Sequence, residues 1–281
     1  MLELREYVEY VEGNSPIVLT APHDGTHKPV EIPERTQGLK IRDMFTSNVA
    51  WSICEQSEEI SKPHLIVLRL HRSKLDVNRE RSKAADKDSI DALEIYDLYH
   101  NSILSAIQKA VKVFGFALLL DVHGQGHRKD TIELGYLLNN RHLRSKDEDF
   151  ETFCQGCSIR HINEIGKAPT PYTLSEVVRG GKSFGDLLME KGFETIPSSK
   201  ILHPCKSRGD HVCTKECKFC SGAFTTRKYS SMAKVCAIQV EIPTELRWDR
   251  KQPLNDSIFQ VAEAIKSSAQ EYLETFFLPR L

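Results

Sequence analysis

The chain carries no excess charge of either sign. Its 38 lysine and arginine residues stand against 39 aspartate and glutamate residues, a formal net charge of -1 over 281 residues. So even a balance excludes a whole-chain polycation that would hold nucleic acid or an anionic membrane by charge alone. Long apolar runs are lacking too. The opening stretch MLELREYVEYVEG alternates apolar with charged residues where a secretory signal would carry an unbroken apolar segment, and no later stretch is long enough to span a bilayer. The pattern predicts a cytoplasmic protein with neither nucleic-acid nor membrane partners. Internal repeats and low-complexity tracts are also absent. Cysteine is sparse in the periodic segments: Cys54 and Cys236 alone fall in predicted core elements.

The other six cysteines, Cys154, Cys157, Cys205, Cys213, Cys217 and Cys220, lie between residues 150 and 225. In a reducing compartment such a cluster reads as free thiols or a second metal, and in an oxidising one as disulfides. Cys205, Cys213, Cys217 and Cys220 could form a structural zinc site, although their spacing fits no paired CxxC knuckle, and Cys154-x-x-Cys157 could add a pair.

What the chain does have is an alternation of buried strands and amphipathic helices. Residues 4–12 alternate as an edge strand or hairpin arm, and Gly13-Asn14-Ser15-Pro16 turns into the apolar run IVLTAPH. Helical periodicity begins at Asp43, with Phe45, Val49, Ser52 and Ile53 on one face, and HLIVLRL follows as a second strand. A long helix then places Ile95, Tyr99, Ile103, Ile107, Ala110 and Phe114 in register, with Gly115 as its stop. The strand FALLLDVHG (116–124) comes next, and ELGYLLNN (133–140) reads as one more. This order predicts an α/β domain with a mostly parallel, doubly wound sheet. Residues 141–228 break the rhythm with charge runs, a Pro-rich turn and the cysteines, so they read as an inserted lobe within one domain of 281 residues, with a helix near 184–191. Order returns with VCAIQVEIP and a closing helix from about Asp256, striped by Ile258, Val261, Ile265, Ala269, Tyr272 and Phe276.

In an open α/β sheet, ligands collect beyond the carboxyl ends of the strands. Four such ends carry chemistry: His23 after IVLTAP, the loop HRSKLDVNR, Asp121 and His123 in LLDVHG, and Glu241 in QVEIP. Catalytic zinc sites use three His or carboxylate ligands and leave a position open. His23 and His123 are the candidate histidines. Asp43, near the start of a helix, is the preferred carboxylate and Asp24 its substitute. Asp121 alternates with His123 on one side of its strand and suits a role behind it, as a hydrogen-bond acceptor.

Each residue has a bland alternative, since a lone histidine at a strand end is commonly a loop residue with a satisfied hydrogen bond. It is the combination that points to a site. His27 and His127 follow candidate ligands by four positions in glycine-containing loops, where substrate contact or exposure fits better than ligation. Glu241 is a candidate general base and proton donor, against the alternative of a surface ion pair. Arg72, Asp76, Asn78 and Arg79 offer a charged loop whose planar donors suit a substrate carboxylate, unless they only bridge one another. Arg227 is a further candidate oxyanion donor, against a solvated surface arginine.

Taken in order, APHDGT, RDMFT, HRSKLDVNR, LLDVHG, GAFTTRKY and QVEIP span residues 21–243 and resemble the N-formylglutamate amidohydrolase family, whose members look like distant relatives of zinc carboxypeptidases and aspartoacylases. The resemblance implies a three-layer, zinc-dependent exopeptidase-like α/β/α fold. It implies metal ligation by His23 and His123 with an acidic third ligand, a catalytic Glu241, and substrate-carboxylate binding by Asn78 and Arg79 with Arg227 assisting. The chain departs from the family pattern at Asp24, in the HGQGH run and in the cysteine-rich segment. The expectation is a one-zinc amidohydrolase acting on an N-acyl amino acid or similar small carboxylate-bearing substrate. The alternatives are a metallo-carboxypeptidase acting on peptide C-termini and a non-catalytic binding module with a structural zinc.

Overall fold

A computed structural model describes residues 4–58, 61–165, 171–205, 218–248 and 254–277. Among them a short 3-10 turn (Leu4–Tyr7) leads into seven strands: β1 (Val8–Val11), β2 (Ile17–Ala21), β3 (His64–Leu68), β4 (Ala117–Gln125), β5 (Ile132–Gly135), β6 (Thr195–Ile196) and β7 (Val235–Pro243). They form a single sheet in the order β1-β3-β2-β4-β7-β5-β6. The four central strands are parallel, β3 with β2, β2 with β4 and β4 with β7. Both margins are reversed, since β1 runs antiparallel to β3 and β5 antiparallel to β7, with β6 parallel to β5.

The helices are α1 (Thr46–Gln56), α2 (Arg81–Ala84), α3 (Ile90–Phe114), α4 (Asn140–Leu143), α5 (Asp147–Cys154), α6 (Leu174–Arg179), α7 (Phe184–Glu190), α8 (Phe224–Ser230), α9 (Thr244–Arg247) and α10 (Leu254–Phe276). They cover both faces of the sheet, so the architecture is a three-layer α/β/α sandwich. The period-2 alternation of β4 assigns its faces. Leu118, Leu120 and Val122 join the core beneath α1 and α10, while Ala117 and Leu119 join the core beneath α3. Strands buried on both faces carry continuous apolar runs, which is why IVLTA and ALLLDV show no polar alternation. In α3, Ser89 caps the first turn by accepting from the Ala92 amide at 3.4 Å. Gly115 ends the helix in the left-handed conformation at φ 83°, a geometry that glycine adopts without a Cβ clash.

Three sequence expectations are corrected. Residues 4–7 form a 3-10 turn, so the edge strand is shorter than 4–12. The helix expected from Asp43 starts at Thr46, which leaves Asp43 in the preceding turn. ELGYLLNN is strand only as far as Gly135, and β5 runs antiparallel to β7, its neighbour on the central side of the sheet. Leu137 then takes a left-handed φ of 64°, and the Asn139 side chain caps α4 by accepting from the His142 amide at 3.0 Å. The described residues of 141–228 share the main core, with Phe150, Val177 and Leu187 in the same cluster as Ile238, Val261 and Tyr272. No helix among the described residues is long and apolar enough to cross a membrane.

One buried histidine ties α3 to two other segments. The His100 Nε2 lies 3.0 Å from the Val77 carbonyl, and its Nδ1 lies 2.9 Å from the Tyr229 hydroxyl, which is within 3.0 Å of the His100 carbonyl. The ring thus joins α3, the loop before Asn78, and α8. Burial is the leading reason that its pKa is pushed down to about 4, with Lys228 adding to the effect. The folded chain therefore binds this proton less readily than the unfolded chain, so stability falls as pH drops from about 6.5 towards 4, by roughly 3 kcal/mol from this group. Urea unfolding of wild type and His100→Gln at pH 7 and pH 4.5 should show the wild type losing its stability advantage at the lower pH. Equal losses in the two proteins would remove this role for His100.

Candidate metal centre

The residues named from four strand ends are brought to one end of the sheet by β4 and its neighbours. His23 follows β2, Asp43 lies in the turn before α1, and His123 lies within β4 near its end. The Asp43 amide donates to the His23 carbonyl at 3.0 Å, which anchors that turn beside the end of β2. The Asp43 Oδ2 lies 3.2 Å from the Nδ1 of His23 and 3.2 Å from the Nδ1 of His123. The two rings meet edge to face with centroids 4.7 Å apart. All three side chains are buried, and their candidate ligand atoms lie within 4.8 Å of one another.

The donor set fits a divalent transition-metal ion. Ligand atoms placed tetrahedrally at about 2.0–2.1 Å from zinc are roughly 3.4 Å apart, close to the separation of Asp43 Oδ2 from each Nδ1. Each imidazole is also backed by a second carboxylate. The His23 Nε2 lies 2.8 Å from Asp76 Oδ1, and the His123 Nε2 lies 3.0 Å from Asp121 Oδ2. A carboxylate behind a histidine holds the Nε2 proton and turns the Nδ1 lone pair towards an ion. Asp121 is held in turn by the Thr20 hydroxyl at 2.6 Å, and Asp76 by the Asn78 amide at 3.1 Å.

Electrostatics follow from crowding charge in a buried place. Burial by itself would raise the Asp43 carboxyl, but hydrogen bonds with His123 and His23 hold it well below the usual carboxylate range. Asp76 is lowered in the same way, against burial, by His23, Arg72 and Arg35. For His123, burial works against the charged form, and the Asp121 and Asp43 carboxylates overcome it and raise the pKa well above its ordinary value. Glu241 is raised chiefly by burial, with Asp43 and Glu133 adding to the rise and His123 and the Gln239 hydrogen bond opposing it.

Strand register places Glu241. His123 of β4 pairs with Glu241 of β7, and Glu241 pairs with Glu133 of β5, so the three share one face in a row across the sheet. The Glu241 Oε1 accepts from the Gln239 side chain at 2.7 Å. The loop residues surround Asp76: its Oδ2 lies 2.9 Å from Arg79 Nε, 3.4 Å from Arg72 Nε and 3.6 Å from Arg35 Nη1. Arg72 also reaches Asp43 Oδ1 at 3.0 Å. The Asn78 Oδ1 accepts from the Thr225 backbone amide at 2.8 Å, which fixes the Asn78 side chain beside His123.

Other candidates are placed elsewhere. Asp24, the substitute ligand, is used by α1: its Oδ2 accepts from the Ser47 amide at 3.1 Å and hydroxyl at 2.5 Å, while Oδ1 pairs with Arg42 at 2.7 Å. His27 forms a backbone bridge with Leu70 and packs on Tyr7. His127 lies 2.9 Å from Glu133 Oε1, which also accepts from Arg128 Nε at 2.8 Å; His127, Glu133 and Cys220 form a second group of potential ligand atoms. Arg227 is exposed on α8, and none of the hydrogen bonds around His23, Asp43 and His123 involves it. Cys154 and Cys157 are buried free thiols, so the CxxC pair is not bridged. Cys205 is disulfide-bonded and Cys220 is a free thiol, so the four-thiolate zinc set is not assembled; Cys213 and Cys217 lie outside the described residues.

Sequence reasoning missed Arg247. It is buried on α9, where its Nε donates to the Ile242 carbonyl at 3.0 Å, its Nη1 to the Met44 carbonyl and its Nη2 to Thr244 Oγ1 at 3.4 Å. A Cβ on Gly124 would stand 2.4 Å from this guanidinium, so the glycine after His123 is the space that Arg247 fills. Nothing in IPTELR signals such a position.

No protein-family model matches the chain, and no curated protein matches it in sequence. Solved structures do. An N-formylglutamate amidohydrolase from Ralstonia eutropha aligns over 96% of this chain and 98% of its own, with a TM-score of 0.55 at 11% identity. The chain shares its fold with an amidohydrolase. The gene product Atu2144 from Agrobacterium tumefaciens aligns over 95% of each chain, with a TM-score of 0.53 at 10% identity. At these identities the likeness is one of architecture, and the side-chain geometry above carries the chemistry.

The arrangement leads to a direct expectation. Equilibrium dialysis should find a divalent ion on wild type and none on His123→Ala, with circular dichroism unchanged. Asp121→Asn, which removes the charge behind His123, should weaken chelator-competed affinity roughly 10–100-fold. Full retention of the ion in His123→Ala would place the metal elsewhere.

Proposed function

We propose that the chain is a zinc-dependent amidohydrolase acting on a small substrate whose scissile amide lies close to a free carboxylate, in the manner of an N-acyl amino acid. The observation that carries this reading is the pair of carboxylate-backed imidazoles converging on Asp43, with Glu241 in register beside His123. The fold shared with an N-formylglutamate amidohydrolase supports it.

His23 Nδ1, His123 Nδ1 and Asp43 Oδ2 would hold the ion. When bound, zinc supplies Lewis acidity to water and to a carbonyl oxygen. The remaining work falls to the chain. Asp76 and Asp121 keep each Nε2 proton in place, so both imidazoles present Nδ1 inward. Gln239 occupies Glu241 Oε1, which leaves Oε2 to take the proton of the attacking water and return it to the leaving amine. Burial, by raising the Glu241 pKa, brings donor and acceptor roles closer together at neutral pH. Arg79 is tied to Asp76 through Nε and is 38% exposed, so its outer nitrogens can pair with a substrate carboxylate, beside Asn78.

The test is Glu241→Gln. Release of free amine from N-acyl amino acids should fall by roughly two to four decades in kcat. Zinc content should stay at the wild-type level. Unchanged turnover would end the assignment of Glu241.

A further inference from the structure

The metal centre leaves positive charge over. Three guanidiniums, those of Arg35, Arg72 and Arg79, surround the single Asp76 carboxylate, which is also in contact with His23. Beyond Arg79 the surface opens into a cleft of about 460 Å³ lined by Arg35, Gly38, Arg79, Lys83, Lys87 and a single carboxylate, Asp86, among others. Lys83 pairs with Glu80 at 3.2 Å, whereas no ion pair to a carboxylate is found for Lys87 among the described residues.

Arg35 makes this more than a patch of surface lysines. Its side chain is 3% exposed, and its Nε is buried without a hydrogen-bond partner. Its Nη1 is used by the Leu39 and Arg72 carbonyls at 3.1 and 3.0 Å. Its Nη2 faces Gly38 in the cleft: a Cβ there would stand 2.7 Å from Arg35 Nη2 and 3.0 Å from Arg79 Nη2. Gly38, at φ 79°, lets the loop lie against both guanidiniums. A buried cation that keeps unfilled donors beside an open cleft is costly unless an anion completes it.

We infer that this cleft is a phosphate-binding subsite, distinct from the position of the scissile amide and joined to it through Arg79. Two guanidiniums and two ammoniums approach from separate segments, the loop 35–38 and residues 79–87, which include α2. Donors spread in this way suit the several oxygens of a tetrahedral dianion better than the planar edge of one carboxylate, which a single arginine fork already matches. The phosphate is either part of the substrate, in which case the inference rests on the hydrolase reading, or a free ion. In both cases the recognising chemistry is the same.

Isothermal titration with inorganic phosphate, glutarate and O-phosphoserine at low ionic strength tests this. It is run on wild type and on Lys83→Ala/Lys87→Ala, a change of exposed residues that leaves the core intact. The background His123→Ala removes the metal as a competing anion site and, under the hydrolase reading, removes turnover. Phosphate should bind in both backgrounds, more tightly than glutarate, and weaken roughly tenfold in the double lysine variant. Tighter binding of O-phosphoserine than of phosphate identifies a substrate-borne group, and equal binding identifies a free ion. Phosphate affinity unchanged by loss of both lysines, or no stronger than that of glutarate, overturns the subsite. Loss of hydrolysis with phosphate binding intact leaves it standing, so the two readings fail separately.

Discussion

One carboxylate oxygen lies between two imidazoles, and the rest of this protein is arranged to make that arrangement tolerable. The Asp43 Oδ2 is 3.2 Å from both Nδ1 atoms in a site that is nearly closed to solvent. Groups so buried lose their hydration and persist only when paired and hydrogen-bonded. The chain meets that cost with layers of partners. Asp76 and Asp121 stand behind the histidines, Thr20 and the Asn78 amide stand behind those carboxylates, and Arg72 bridges Asp43 to Asp76. Most of these groups have more than one partner within the cluster, so their interactions are coupled.

The sheet supplies the rigidity that such a unit needs. Parallel pairing of β2, β4 and β7 sets Thr20 beside Asp121 and His123 beside Glu241, positions determined by backbone register and not by flexible loops. Loops deliver the remainder, and each is fastened. His100 reaches from α3 to the backbone of Val77, Asp24 holds the first turn of α1 through Ser47, and Arg247 fills the space above Gly124. A proposed general base one strand away from a proposed ligand is thereby held at a fixed distance from it, as acid–base chemistry requires.

Charge is distributed unevenly around this centre. On the β5 side, Glu133 is paired with Arg128 at 2.8 Å, and His127 lies 2.9 Å from the same oxygen. On the Asp76 side, three guanidiniums share that carboxylate, and two of them, those of Arg35 and Arg79, line an open cleft. Under the proposed reading, the asymmetry gives the site a direction: anionic parts of a substrate would be drawn towards Arg79, and the buried His23, Asp43 and His123 would hold the ion.

By itself, the sequence determined the elements. The apolar runs of β2, β3, β4 and β7, the stripe of α3 with its Gly115 stop, and the α10 stripe from Ile258 to Phe276 are local patterns, and local patterns report burial. His23, Asp43, His123 and Glu241 could be named because each stands at the end of such an element. Tertiary structure alone decided how they meet. It brought Asp76 to His23 across 53 residues, committed Asp24 to the start of α1, reversed β5 against β7 and placed Arg247 over Gly124. The physical reason is one of range: periodicity records which face of a segment is buried, whereas hydrogen bonds between segments tens of residues apart depend on strand register and loop closure, which no local pattern encodes.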